Sequence, residues 1–310
     1  MSPKTVWSLV RETLAEIGED DVTSFSAAIA YYTIFSLPPL LVILVGVAGV
    51  VFGPEQVQEA ITGQVRGLAG EGAGGEIQTM IENAGNLGEG VGGKLLGVLF
   101  LFLGATGAFG QLQKALNRAW DVRVADGGGL QRVLLKRLLS FGMVLTIAFL
   151  LLVSLVLSAV IAALSNQVSG VLPGGLSSAV WQLINLAVSF GIITLLFAAI
   201  FVVLPDAKIA WRDVWVGAAA TAALFTLGKW LIGVYLGRSD PGSAFGAAGS
   251  LALILVWIYY SALILLAGAE FTQVWARRFG KRLVPEAGAV RDGELDELHP
   301  YARERDPDPY

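Results

Sequence analysis

The stretch VWQLINLAVSFGIITLLFAAIFVVL, residues 180–204, decides the fold because it contains no charged residue. A helix needs about 20 consecutive apolar residues to cross the hydrocarbon core of a bilayer. The chain has six such apolar stretches: Ala27–Phe52, Leu95–Gln111, Leu138–Leu164, Val180–Leu204, Val214–Leu236 and Leu251–Phe271. Membrane barrel strands would instead alternate apolar and polar residues over short segments. We therefore predict an all-α polytopic membrane protein with six transmembrane helices.

The composition supports this fold class and excludes several kinds of site. Hydrophobic residues make up 55% of the chain and charged residues 15%, whereas soluble domains carry about 25% charged residues. There is no cysteine, and the single histidine is His299 near the end of the chain. We find no nucleotide-binding loop and no cytoplasmic carboxylates spaced for a catalytic metal. The sequence therefore predicts no catalytic residue, no metal and no cofactor, and we do not expect an enzyme.

The positions of lysine and arginine predict the orientation, because cytoplasmic loops of membrane proteins are enriched in both. The segments that follow the second, fourth and sixth apolar stretches carry most of these residues: Lys114, Arg118, Arg123, Arg132, Lys136, Arg137, Lys208, Arg212, Arg277, Arg278, Lys281 and Arg282. The opposite side has only Arg66, Lys94 and Arg238. We expect both termini in the cytoplasm and the protein in the inner membrane of a bacterium.

Three polar pieces flank the predicted transmembrane domain of residues 23–284. Residues 1–22 form a cytoplasmic amphipathic arm, a helix that either lies on the inner leaflet or packs against the inner end of the bundle. The glycine-rich external loop, residues 53–94, forms either two short helices joined by glycine hinges or a flexible acidic loop. The charged tail, residues 285–310, is predicted to be disordered.

Polar residues inside the apolar stretches are the candidate site residues. Lys229 lies in the fifth predicted helix, at a depth similar to that of Trp257, Tyr259 and Tyr260 in the sixth. We hypothesise that these four residues bind an anionic ligand such as a phosphate head group. The alternative is a lysine whose long stem lets its ammonium reach the outer interface.

A second group lies near the cytoplasmic side. Arg212, Glu270, Gln111 and Asn117 are the hypothetical inner gate. A structural salt bridge of Glu270 to an inner cation, and simple solvation of Gln111 and Asn117, are the alternatives.

Two consecutive prolines, Pro38 and Pro39, interrupt the first predicted helix. Each removes a backbone donor and clashes with the preceding turn, so the sequence predicts a kink or break there. Broken membrane helices often line the cavities of transporters, although a static kink would need no such role.

Several strings resemble the YihY/BrkB family of bacterial inner-membrane proteins, historically labelled ribonuclease BN. They include Ala30-Tyr31-Tyr32-Thr33, Ser36-Leu37-Pro38-Pro39-Leu40, Asn117-Arg118-Ala119-Trp120, Trp211-Arg212-Asp213, Trp257-Ile258-Tyr259-Tyr260-Ser261-Ala262 and Gly268-Ala269-Glu270-Phe271-Thr272. Phe245 and Leu263 depart from the pattern, which has tyrosine and often glutamine there. The resemblance implies six membrane helices and a role in envelope integrity, serum resistance or export of lipidic or other solutes.

The residues and the resemblance together predict a transporter or exporter of a lipidic or anionic solute that has no ATPase of its own. Expected partners are membrane lipids and an anionic lipid or small-molecule substrate, and no nucleic acid is expected. The sequence also allows a homo-oligomer. The alternative function is a non-transporting scaffold for envelope integrity. Ribonuclease activity is not expected, because no nuclease site can be assembled from these residues.

Overall fold

The computed structural model describes residues 2–86, 107–124, 176–238, 247–280, 284–285 and 289–291. The predicted helix Leu138–Leu164, most of Leu95–Gln111, the last part of the external loop and the tail after residue 291 lie outside the described residues. The described chain is mostly helical, as an all-α membrane protein requires. The helices are α1 (Pro3–Glu19), α2 (Val22–Phe52), α3 (Pro54–Asn86), α4 (described over residues 107–119), α5 (Leu176–Val203), α6 (Trp211–Arg238) and α7 (Ala247–Phe279). Four short strands accompany them: β1 (Val122–Val124), β2 (Ala207–Lys208), β3 (Val284–Pro285) and β4 (Ala289–Arg291).

Three of the described helices are long and apolar enough to cross a bilayer. The spans are Leu186–Val203 in α5, Trp211–Leu231 in α6 and Ile254–Phe279 in α7. Helix α2 adds a fourth if its two limbs, Val22–Pro38 and Leu40–Phe52, count as one span. The limbs meet at an angle of 47°. The bend coincides with the proline pair, whose rings clash with the preceding turn and whose nitrogens donate no hydrogen bond.

The chain divides into two compact units. The first comprises Met1–Glu16, Leu116–Ala223 and Gly268–Tyr310, and the second comprises Ile17–Ala115 and Leu224–Ala267. In the second unit, α2, α3 and α7 share an apolar core. Its buried members are Leu41, Ala73, Ile77, Ile81 and Ile254.

Residues 54–86 of the predicted external loop form helix α3. The alternative of a flexible loop is therefore wrong for these residues. Gly74 lies against Arg66, since a Cβ built on Gly74 would be 3.0 Å from the Arg66 Cβ. Eight residues of a straight helix would separate these positions by about 12 Å. The axis therefore bends sharply within the glycine-rich part, where the sequence predicts hinges. The apolar positions on either side of the bend pack into the core of the second unit.

In the first unit, α6 and α7 pack through two matching Gly-x-x-x-Thr segments. Gly217 of α6 contacts Thr272 of α7, and Gly268 of α7 contacts Thr221 of α6. The Thr221 Oγ1 donates a hydrogen bond to the Gly217 carbonyl at 2.7 Å, and the Thr272 Oγ1 donates to the Gly268 carbonyl at 2.5 Å. Small residues at such spacing let membrane helices approach closely. The absence of a Cβ at both glycines makes this crossing possible.

The four strands join the residues after α7 to two other segments of the first unit, the one after α4 and the one between α5 and α6. β4 pairs antiparallel with β1, with Val290 opposite Arg123, and β3 pairs antiparallel with β2. The tail from residue 285, predicted to be disordered, has short strands at residues 285 and 289–291, and the disorder of its remaining residues stays a prediction. Its charged composition hid a short β-forming segment, Ala289–Arg291, whose backbone groups find partners in a distant loop.

Helix α1 is fastened to the last turn of α7, also within the first unit. The Arg277 Nη2 donates to the Oε1 atoms of Glu12 and Glu16, at 2.8 and 2.6 Å. The Arg278 guanidinium contacts the Glu12 Oε2 at 3.1 Å and the Ser8 Oγ at 2.7 Å. Packing of α1 against the end of a membrane helix therefore accounts for one face of α1, while its position on the inner side of the membrane stays a prediction.

Candidate functional site

Lys229, the proposed ligand-binding cation, lies on an exposed face of α6. Its side chain is exposed together with those of Trp230 and Leu231, whereas Gly228 contacts the Tyr260 hydroxyl of α7. Successive helical residues are about 100° apart, so α6 turns Gly228 toward α7 and Lys229 away from that contact. Within the described part of the chain, the ammonium has no hydrogen bond, ion pair or ring contact. This geometry favours a lysine that extends along the helix toward the interface.

The aromatic residues predicted to accompany Lys229 have mainly packing contacts. The Trp257 ring meets the Phe225 ring of α6 with centroids 5.9 Å apart and edge-to-face geometry. Trp257 also packs against the apolar core of the second unit. Tyr260 fills the space left by Gly228, and Tyr259 is half-buried. The structure thus brings Trp257 and Tyr260 onto α6 but directs Lys229 elsewhere.

A buried polar cluster occupies the C-terminal part of α7 in the first unit. Glu270, Thr272 and Gln273 lie inside the apolar span Ile254–Phe279 and are 1%, 0% and 2% exposed. The Gln273 Nε2 donates to the Asp121 Oδ2 at 3.1 Å. Among the described residues, the Gln273 Oε1 and the Trp120 Nε1 are buried without a hydrogen-bond partner. One acceptor and one donor in the vicinity of Asp121 are therefore available to a water molecule or a small polar ligand.

Asn117, one of the predicted gate residues, is held by Asp206. The Asn117 Nδ2 donates to the Asp206 Oδ2 at 2.9 Å, and the Asp206 backbone N–H donates to the Asn117 Oδ1 at 2.7 Å. Both ends of the amide are used, so Asn117 joins α4 to the turn between α5 and β2. This contact holds two inner segments that are 89 residues apart.

The other predicted gate residues have different surroundings. Arg212 is 73% exposed, and its Nε lies 3.6 Å from the Asp213 Oδ1. Within the described residues it makes no ion pair with Glu270, which is buried. Gln111 is half-buried and belongs to the second unit. The described contacts do not test the inner gate of these four residues, which stays a hypothesis.

No sequence pattern predicted a site role for Gln273, Asp121 or Asp206, and Trp120 entered only through the family resemblance. Gln273 could have been found, because it lies three residues, about one helical turn, after Glu270 and therefore on the same side of the helix. Asp121 has a positive φ of 52°, and its pairing with Gln273 spans 152 residues. No local pattern reports such a contact. The described residues include no group of three or more histidine, cysteine or acidic side chains placed to hold a metal ion.

Comparison with known proteins places the chain in a family. The profile described as Virulence factor BrkB matches residues 13–292. A UPF0761 membrane protein of Pseudomonas aeruginosa (strain LESB58) is 27% identical over 88% of this chain and 65% of its own length. A relative with the same description from Vibrio vulnificus (strain YJ016) is 26% identical over 87% of this chain and 83% of its own length.

This chain spans less than two thirds of the Pseudomonas relative and 48% of a Psychrobacter relative that is 25% identical. No solved structure matches. The profile covers most of the chain, including the bent helix α2 and the buried polar cluster of α7, and it confirms the resemblance seen in the sequence. The chain is an integral membrane protein that belongs to the Virulence factor BrkB family.

Proposed function

We propose that this protein moves a lipidic or anionic solute across the bacterial inner membrane without an ATPase of its own. The observation that carries the proposal is the Gln273 Oε1, an acceptor buried inside an apolar span and without a hydrogen-bond partner in the described chain. A buried polar atom left without a partner costs roughly 1–3 kcal/mol. The amide nitrogen is used in the hydrogen bond to Asp121, and the amide oxygen remains available to water or solute during transport.

Two neighbouring features support the same conclusion. Glu270 is fully buried in the same span, and ionisable residues within membrane helices mark solute or proton pathways more often than packing positions. Helix α2 bends by 47° at Pro38–Pro39. Interrupted membrane helices free backbone carbonyls that line transporter cavities.

We further propose six spans with both termini in the cytoplasm. Support comes from the first unit, where α1 precedes all apolar stretches and ion-pairs with the end of α7. Strands β1 and β2, after the second and fourth predicted helices, pair with strands that follow α7. Segments joined in this way share one side of a bilayer, so an even number of spans separates them. The lysines and arginines of these segments favour the cytoplasmic side.

In this proposal, Lys229 binds the head group of a lipidic substrate. An exposed lysine beside exposed Trp230 and Leu231 is suited to meet an anionic head group in the lipid phase. Of the hypothetical ligand site, Lys229 would then contact a lipidic substrate that arrives from the side, while Trp257 and Tyr260 pack against α6.

Transport in proteoliposomes tests the proposal. One set of vesicles would contain fluorescent phospholipids, with leaflet exchange followed by outer-leaflet quenching, and another would contain a trapped fluorescent anion. Gln273→Met would be compared with Gln78→Met, which removes a glutamine from the exposed surface of α3. We expect Gln273→Met to slow movement at least several-fold while Gln78→Met matches the parent protein. Equal rates for both variants would remove Gln273 from the mechanism, and no movement of either solute would refute passive transport of these two classes.

A scaffold is the competing function, and the densely joined inner surface favours it. Strand pairs, the α1 ion pairs and the Asn117–Asp206 contact all fasten inner segments together. A scaffold predicts that Gln273→Met leaves function intact, while loss of the α1 ion pairs impairs envelope integrity in cells.

A further inference from the structure

Helix α1 presents an apolar face that no described residue covers. Trp7 and Leu14 are 71% and 63% exposed, and Val6 and Val10 are exposed beside them. All four lie on one side of the helix at helical spacing. Large apolar side chains grouped in this way call for an apolar partner.

The remaining faces of α1 contact the protein and thereby fix the orientation of the helix. Leu9 and Thr13 are buried, and Glu12 and Glu16 bind the arginines of α7. At about 100° per residue, the exposed apolar face lies about a third of a turn from this protein-facing side. The helix is therefore held by one side, while its apolar face points in a different and fixed direction.

Two cations border the apolar face on its far side. Lys4 and Arg11 are exposed and lie at nearly the same angle around the helix, next to Trp7. Apolar residues with tryptophan on one face and cations at its edge are typical of helices that lie in the plane of a membrane surface. Lysine and arginine at such an edge reach anionic head groups, while tryptophan prefers the head-group level.

The attachment point gives the depth of α1. Arg277 and Arg278 are in the last turn of α7, at the end of the span Ile254–Phe279. A helix clamped to the end of a membrane span lies at the level of the bilayer surface. We propose that α1 binds the anionic surface of the inner leaflet with Val6, Trp7, Val10 and Leu14 inserted and with Lys4 and Arg11 at the head groups.

Two features of α1 favour an anionic lipid surface over a protein partner: the position of its apolar face and the charge of the residues that border it. The apolar face adjoins the end of a helix that is itself embedded in lipid, and its cations match anionic phospholipids. The inference concerns only how α1 is seated, so it holds or fails independently of whether the protein transports a solute.

Site-directed fluorescence tests the proposal directly, because the chain has no cysteine. Val10→Cys and Leu14→Cys would each be labelled with an environment-sensitive fluorophore in nanodiscs containing phosphatidylglycerol. Ala15→Cys is the control, since Ala15 is exposed on the water side of the same turn. We expect nitroxide-labelled lipid to quench positions 10 and 14 at least threefold more than position 15, and iodide to show the reverse order.

Two results would overturn the proposal. Iodide quenching of positions 10 and 14 equal to that of position 15 would mean that the face is in water. Protection of these positions from both quenchers would mean that protein covers them. The double variant Lys4→Gln with Arg11→Gln tests the cations. It should show less quenching by labelled lipid than the parent protein in anionic nanodiscs and the same quenching in zwitterionic ones. Quenching equal to that of the parent in anionic nanodiscs would remove the cations from the proposal.

Discussion

Gly217→Ala is expected to destabilise the protein, although alanine is the better helix former. A Cβ at residue 217 would lie 2.6 Å from the Thr272 Cβ and 2.9 Å from the Thr272 Cα. Ordinary contacts of a Cβ begin near 3.4 Å. A change of the threonine rotamer cannot relieve the overlap, because the Cα atom belongs to the backbone of α7. The two helices must therefore move apart at their crossing.

The magnitude follows from two opposing terms. Forcing an additional methyl group into a well-packed contact costs typically about 1–3 kcal/mol. Replacing glycine by alanine inside a helix returns up to about 1 kcal/mol. With the full return, the expected net loss is therefore about 0–2 kcal/mol. Separation of α6 and α7 would also loosen the reciprocal contact of Gly268 with Thr221, which moves the estimate toward its upper end.

Gly191→Ala is the matched control, because Gly191 also lies in an apolar span and no other described residue lies within 4 Å of its Cβ position. It should be neutral or gain up to about 1 kcal/mol. Thermal unfolding of the purified proteins in the same detergent, followed by intrinsic fluorescence, compares the two. If Gly217→Ala melts at or above the temperature of Gly191→Ala, the close α6–α7 crossing is not as described.

Three further changes test other contacts. Asn117→Ala should cost about 1–3 kcal/mol because both hydrogen bonds to Asp206 are lost; an unchanged melting temperature would contradict this. Glu12→Gln weakens the contacts of α1 with Arg277, so limited trypsin digestion should release the N-terminal segment faster. Its effect on global stability should stay below about 1 kcal/mol and fade at high salt, and digestion at the parent rate would argue against the clamp. Pro38→Ala should reduce the 47° bend, which spin labels at the two ends of α2 would report as a longer distance; an equal distance would assign the bend to packing.

Much of the membrane architecture was predictable because its causes are local. The spans of α5, α6 and α7 follow from long apolar runs, and the bend of α2 coincides with adjacent prolines. The hinge in α3 lies among glycines, near the contact of Gly74 with Arg66. Each of these features depends on the chemistry of neighbouring residues.

The direction of Lys229 could not be predicted because α6 is apolar on nearly all sides. An amphipathic helix reveals its packed face through its pattern, whereas here the packed face near Lys229 is identified by tertiary contacts such as that of Gly228 with Tyr260. The candidate ligand site was therefore assembled from residues of similar depth, although depth says nothing about the angle around a helix. The same limitation applies to Arg212, which is exposed while Glu270 is buried.

The sequence by itself determined that the chain is a membrane protein, which residues are apolar enough to cross the bilayer, and where a helix must bend. These are properties of composition and of neighbours a few positions apart. Only the tertiary structure decided that Asn117 holds Asp206, that Gln273 meets Asp121, and that residues 289–291 pair with β1. Such contacts join segments about a hundred residues apart or more, and their geometry depends on how whole helices pack. No local pattern of residues carries that information.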